Sequence, residues 1–225
     1  VNLKLLGESP NLIDIIENYG INSGDRIMLT IETMLNEKFN VTDITFAELQ
    51  RKTNKELIIQ ATNLTHMSLD TFSRKSSPNM SVLTAIRMSI SIPFIFTPVE
   101  YKNNYYVDGC VISNFPELSK INIYYDIDVY DIMALNISRY VENPRKLQIN
   151  NIVDYSIRIA ETYYNNANHN FDIYPFLINI ECAVSRQILH TDSTDLLKIL
   201  ENGKKAAIEF MEENSIIELD NIDAD

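Results

Sequence analysis

Tyr105-Tyr106-Val107-Asp108-Gly109-Cys110-Val111-Ile112-Ser113-Asn114-Phe115-Pro116 is the stretch on which the reading of this chain turns. Two aromatics and a valine read as the end of a buried strand. An aspartate and a glycine follow at once, so a carboxylate stands where the strand opens into a loop. Gly109 has no Cβ, which lets the backbone turn sharply or lets another group come close to Asp108. In open α/β sheets ligands bind beyond the C-terminal ends of strands, the position this acid would take. An Asp-Gly pair taken alone also reads as a turn in which the aspartate bonds its own backbone, so the flanking segments have to decide.

Working outward, Val99 to Val107 around Asn103-Asn104 reads as a hairpin, because asparagine tolerates the left-handed geometry of tight turns. Upstream, Pro78 to Met80 turns the chain into a helix with Val82, Leu83, Ile86, Met88 and Ile90 inward. Pro93 ends that helix and starts a strand through Phe94-Ile95-Phe96. This trio reads as buried strand rather than as a contact for an acyl chain. Leu57-Ile58-Ile59-Gln60-Ala61-Thr62 is a near-continuous apolar run, the pattern of a strand covered on both faces. Thr45 with Glu48 three residues on is a capping box for a short helix, and Leu69 to Ser73 a short strand.

Towards the N-terminus, Ser9-Pro10 opens a helix closed by Gly20, and Ser23-Gly24-Asp25 opens a second, with Ile27, Met28, Ile31, Met34 and Leu35 at helical spacing. Beyond the central stretch, Val129 to Ile137 reads as a buried strand and Asn150 to Asn166 as a helix. Tyr174 to Ile180 is a last strand, and Thr194 to Asn214 a long amphipathic helix. Strands alternating with helices predict an α/β fold with a mainly parallel central sheet flanked by helices and some antiparallel pairing at the hairpin.

Asp-Gly-small-x-x-x-Asn-x-Pro, preceded by Ser89-Ile90-Ser91-Ile92-Pro93-Phe94-Ile95-Phe96-Thr97-Pro98-Val99, resembles the second half of a patatin-like phospholipase domain. The segments Ile44 to Leu49, Leu57 to Leu64 and Ser81 to Ser89 resemble the helix and strand passages of that family. The resemblance implies a catalytic dyad, made of a serine in a Gly-x-Ser-x-Gly elbow and the aspartate of an Asp-Gly-Gly/Ala motif. Asp108 matches that aspartate and would be the general base. Gly109, Cys110, Asn114 and Pro116 would shape the motif around it, with Cys110 standing where Gly or Ala is usual. The nucleophilic serine is not in this chain: its five glycines, Gly7, Gly20, Gly24, Gly109 and Gly203, bracket no serine at elbow spacing.

The resemblance therefore implies an incomplete patatin-like domain over residues 1–217, with an acidic tail at 218–225 and the missing N-terminal part of the same domain carrying the elbow. It implies lipid or acyl-ester substrates, transient contact with a membrane surface, and no cofactor or metal. The alternative is a catalytically inactive relative that binds lipid or protein.

Composition narrows the partners. A net charge of −12 over 225 residues argues against nucleic acid, whose binding needs basic surface to displace counterions. No stretch has the apolar length of a transmembrane helix. Two cysteines, Cys110 and Cys182, give no disulfide framework and suit a cytoplasmic or membrane-peripheral, intracellular setting. Asp126, Asp128 and Asp131 lack the glycine and terminal glutamate of a calcium loop, and His66, His169 and His190 share no zinc-ligand spacing. Cys110 is not read as a nucleophile, because a neighbouring carboxylate opposes thiolate formation.

Overall fold

The computed structural model describes residues 17–113, 115–140, 155, 159, 162, 174–183 and 193–214. These fall into two compact units, one running from 17 to 126 with 155, 159 and 162, the other from 127 to 140 with 174–183 and 193–214. Most of the helix expected after Ser9-Pro10 lies outside the described residues, which hold its helical Glu17 and Asn18, as do most of the Asn150–Asn166 helix and the acidic tail. Ile159, expected to face inward in that second helix, is helical and exposed.

The first unit is built on a four-stranded sheet. Its strands are β2 (Ile58–Asn63), β3 (Ser68–Ser73), β5 (Val99–Tyr101) and β6 (Asn104–Asp108), in the order β3-β2-β6-β5. Every pair in it is antiparallel. This corrects the expectation of a mainly parallel central sheet. A parallel neighbour needs a crossover of a dozen residues or more, whereas β2 joins β3 through a tight turn and β5 joins β6 through Lys102 and Asn103. Those two residues have φ of 51° and 60°, the left-handed pair that a two-residue hairpin turn requires. The sequence is read correctly as a hairpin there, but the turn centres one residue earlier than Asn103-Asn104. Among the described residues parallel pairing is confined to two ribbons: β1 (Gly20–Asn22) with β4 (Phe94–Phe96), and a second in the other unit.

Two short helices close one face of the sheet. Helix α2 (Phe46–Thr53) starts with the expected capping box: Glu48 N–H donates to Thr45 Oγ1, and Thr45 N–H donates back to Glu48 Oε2 at 2.9 Å. Helix α3 (Val82–Ser89) is capped by Ser81, whose Oγ accepts Thr84 N–H at 3.0 Å. Its Val82, Leu83, Ala85 and Met88 are buried, and Ala85 and Met88 join Phe46, Ile59, Ala61, Phe72 and Tyr106 in one core. Helix α1 (Asp25–Phe39) is more peripheral, with no fully buried residue; Leu35 packs on the core, while Ile27, Leu29 and Met34 are exposed.

In the second unit β7 (Met133–Tyr140) pairs in parallel with β8 (Phe176–Ala183), and α4 (Ser193–Glu213) packs along β8, with Phe210 edge-on to Phe176. Here the strand begins later than Val129, because Asp128 Oδ1 accepts Tyr130 N–H and folds Val129–Asp131 into a 3-10 turn. Ala134 is buried while Met133, Leu135 and Ile137 are exposed, which corrects the expectation of a buried strand. No described helix is long and apolar enough to cross a membrane.

Candidate active site

Strand β6 ends on Asp108, which stands directly opposite Ala61 of β2 and so shares the face that α3 covers. Its N–H donates to the Ser91 carbonyl at 2.9 Å. Its Oδ1 accepts the Cys110 N–H at 2.9 Å and thereby caps the 3-10 turn Gly109–Val111. Asp108 is only 8% exposed. Burial pushes its carboxyl above the ordinary carboxylate range, opposed by the donors of Cys110, its thiol and its N–H. Among the described residues no other donor faces this carboxylate.

Gly109 is required by close approach. A Cβ there would lie 2.9 Å from the Gln60 carbonyl oxygen, so the chain leaving Asp108 runs against the backbone of β2. Beside it a cavity of about 360 Å³ opens, walled by Ile58, Ile59, Phe115, Pro116 and Ile121, with Gln60, Ser89, Asp108 and Ser113 among its polar members. Ser113 Oγ donates to the Phe115 carbonyl at 2.6 Å. Of the residues expected to support the motif, Gly109, Cys110 and Pro116 thus border the cavity with Asp108, and Asn114 lies outside the described residues.

The Cys110 thiol is pushed up to about 12, first by burial and then by the Asp108 charge, of which only the second is visible in the sequence. It should therefore be inert. Iodoacetamide at pH 8 is expected to alkylate Cys110 in the folded chain about a hundred-fold or more slowly than a free thiol, because only the thiolate reacts. Peptide mass spectrometry showing rapid modification of Cys110 would contradict this account.

Arg87 of α3 holds the corner behind Asp108. Its guanidinium donates to Ser23 O at 2.8 Å, to Ser91 Oγ at 2.5 Å, and to Thr97 O and Oγ1 at 2.9 and 3.0 Å. Ser91 in turn presents the carbonyl that receives the Asp108 N–H. Gly24, at φ 80°, closes on this guanidinium: a Cβ there would meet Arg87 Nε at 2.7 Å. Sequence reading singled out neither Arg87 nor Gln60. Their one signal is a long polar side chain inside an apolar helix or strand pattern.

Among the described residues no three His, Cys, Asp or Glu side chains are grouped to hold an ion, and Asp128 is used as a cap; His169 and His190 lie outside the described residues.

The family model for patatin-like phospholipase matches residues 4–119. The chain belongs to the patatin-like phospholipase family. Over 97 residues it is 40% identical to "Probable lipid hydrolase 463L" of Invertebrate iridescent virus 6, a match covering 43% of this chain and 33% of that protein. Over 151 residues it is 31% identical to "Uncharacterized protein R571" of Acanthamoeba polyphaga mimivirus, covering 65% of this chain and 48% of that one. The matched region thus spans a third to about half the length of these curated relatives. Among solved structures, VipD from Legionella pneumophila superposes with a TM-score of 0.53 at 15% identity, over 77% of this chain and 36% of that one, a likeness of fold.

Proposed function

We propose that this chain supplies the general base of a serine hydrolase acting on lipid acyl esters, with Asp108 as the base and the nucleophilic serine in another segment of the domain. The supporting observation is a desolvated carboxylate on the rim of a mainly apolar cavity, held in place by its own loop. A serine hydroxyl is a weak nucleophile until a base takes its proton as the bond to carbon forms. A carboxylate within hydrogen-bond reach can do this directly. The proton held on Asp108 then passes to the departing alcohol, leaving an acyl-serine. Asp108 next takes a proton from the attacking water, and the acid is released as that proton returns to the serine oxygen. Backbone N–H groups from outside the described site would stabilise the oxyanion.

In this reading the substrates are phospholipids or acylglycerols met at a membrane surface, and neither metal nor cofactor takes part. The setting is intracellular, cytoplasmic or peripheral to membranes. Residues 1–217 are part of a patatin-like domain and 218–225 an acidic tail. The absence of a Gly-x-Ser-x-Gly from the sequence favours a second reading, an inactive module that binds lipid or protein.

A product joining this chain to an elbow segment is expected to hydrolyse phospholipid in mixed micelles and to be labelled at the elbow serine by a fluorophosphonate. The 225-residue chain alone is expected to do neither. Labelling of Ser89 or Ser113 in the chain alone would place the nucleophile inside the Asp108 cavity and overturn this division of roles. An elbow-bearing product that folds without turnover would favour the inactive module.

A further inference from the structure

Gln60 interrupts an apolar strand. Side chains alternate along β2, so Gln60 lies on the face opposite Ala61, and therefore opposite Asp108. Chain leaving β6 on the α3 face must pass around β2 to reach the face that Gln60 occupies. It begins to do so at Gly109, pressed against the Gln60 carbonyl.

At the other end of this passage the Gln60 carboxamide meets the backbone of Glu117 twice. Its Nε2 donates to the Glu117 carbonyl at 3.3 Å, and its Oε1 accepts the Glu117 N–H at 3.0 Å. Nε2 also donates to Oγ1 of Thr71, the residue directly across the sheet, at 3.2 Å. One residue therefore touches both ends of the run Gly109–Glu117, with its main chain at the first and its side chain at the last. Cys110, Ser113, Phe115 and Pro116 lie between those ends and line the cavity with Asp108.

We infer that Gln60 is a positioning residue: by clamping Glu117 it holds the Gly109–Glu117 run against β2 and keeps the Asp108 carboxylate desolvated on the cavity rim. It touches no reacting atom. The inference rests on Asp108 being the base, but it is tested on the carboxylate itself rather than on turnover, so its failure is distinguishable from failure of that assignment.

The measurement is the titration of the Asp108 carboxyl carbon by NMR in the 225-residue chain. Gln60→Met keeps length and bulk but removes both bonds to Glu117; Gln60→Asn keeps the amide but is one methylene too short to make them. In both, water is expected to reach Asp108, moving its midpoint down toward that of an ordinary aspartate. Thr71→Val, which removes only the bond across the sheet, is expected to leave the midpoint at the wild-type value. Folded Gln60 variants that titrate within about 0.2 unit of wild type, or a Thr71→Val shift as large as theirs, would overturn the inference. Failure of both Gln60 variants to fold would also overturn it, by making Gln60 a residue of the fold alone.

Discussion

Asp108→Asn, made in a product that carries the nucleophilic serine, is expected to lower kcat by about 10²–10⁴-fold, the usual loss when a general base is removed. Asparagine keeps the shape of the side chain, and its carbonyl oxygen can still accept the Cys110 N–H that caps the turn. The cavity wall is untouched, so KM should stay within a few-fold. The wild-type rate should fall as pH drops through the raised Asp108 value, since a protonated carboxyl cannot take the serine proton. That acid limb should sit above the ordinary carboxylate range and be missing from the variant. Cys110→Ala is the adjacent control. It retains the backbone N–H on Asp108 and should turn over within a few-fold of wild type. Comparable kcat for Asp108→Asn and wild type, at matched fold and concentration, would remove Asp108 from the mechanism.

The second large effect is on stability. Arg87→Met is expected to cost about 2–4 kcal/mol, because it strands several acceptors that the guanidinium now satisfies. Ser23 O, Ser91 Oγ, Thr97 O and Thr97 Oγ1 would all lose their donor. Arg87→Lys should recover little of this, since an ammonium on a flexible stem cannot reproduce the planar fork that reaches three segments at once. Urea unfolding of the two variants beside wild type measures the difference. A loss below about 1 kcal/mol for Arg87→Met would show that water replaces the guanidinium freely and that the corner is held by packing instead.

What could be read from the sequence was what local chemistry determines. Thr45 and Glu48 announce their helix because a capping box is made within one turn. Asp108 could be placed at a strand end, and Gly109 read as a sharp turn or a close approach, because both follow from a single residue's backbone; the approach proves to be to the Gln60 carbonyl. Strand order was not legible in the same way. The alternation of helices and strands suggested parallel crossovers, whereas β2–β3 and β5–β6 are joined by turns too short for any. The contacts that hold the site are also long-range. Gln60 meets Glu117, and Arg87 meets Ser23. No periodicity carries such a pairing, and a lone polar residue in an apolar run shows only that a partner is needed.

The parallel ribbon between β1 and β4 has a consequence for the order of assembly. Joining Gly20 to Phe94 closes a far longer stretch of chain than either hairpin of the main sheet, and the entropy lost on closure grows with that length. The β2–β3 and β5–β6 hairpins close by neighbouring contacts, so contact order leads one to expect them first. Docking β6 on β2 then sets Asp108 against Ala61. The long closure through Gly20 follows, fitting a glycine without Cβ against the finished backbone of Phe96. On that order the acid would be in register before the chain's early segment is tied down, and an error in the last step would leave the strand bearing Asp108 already built.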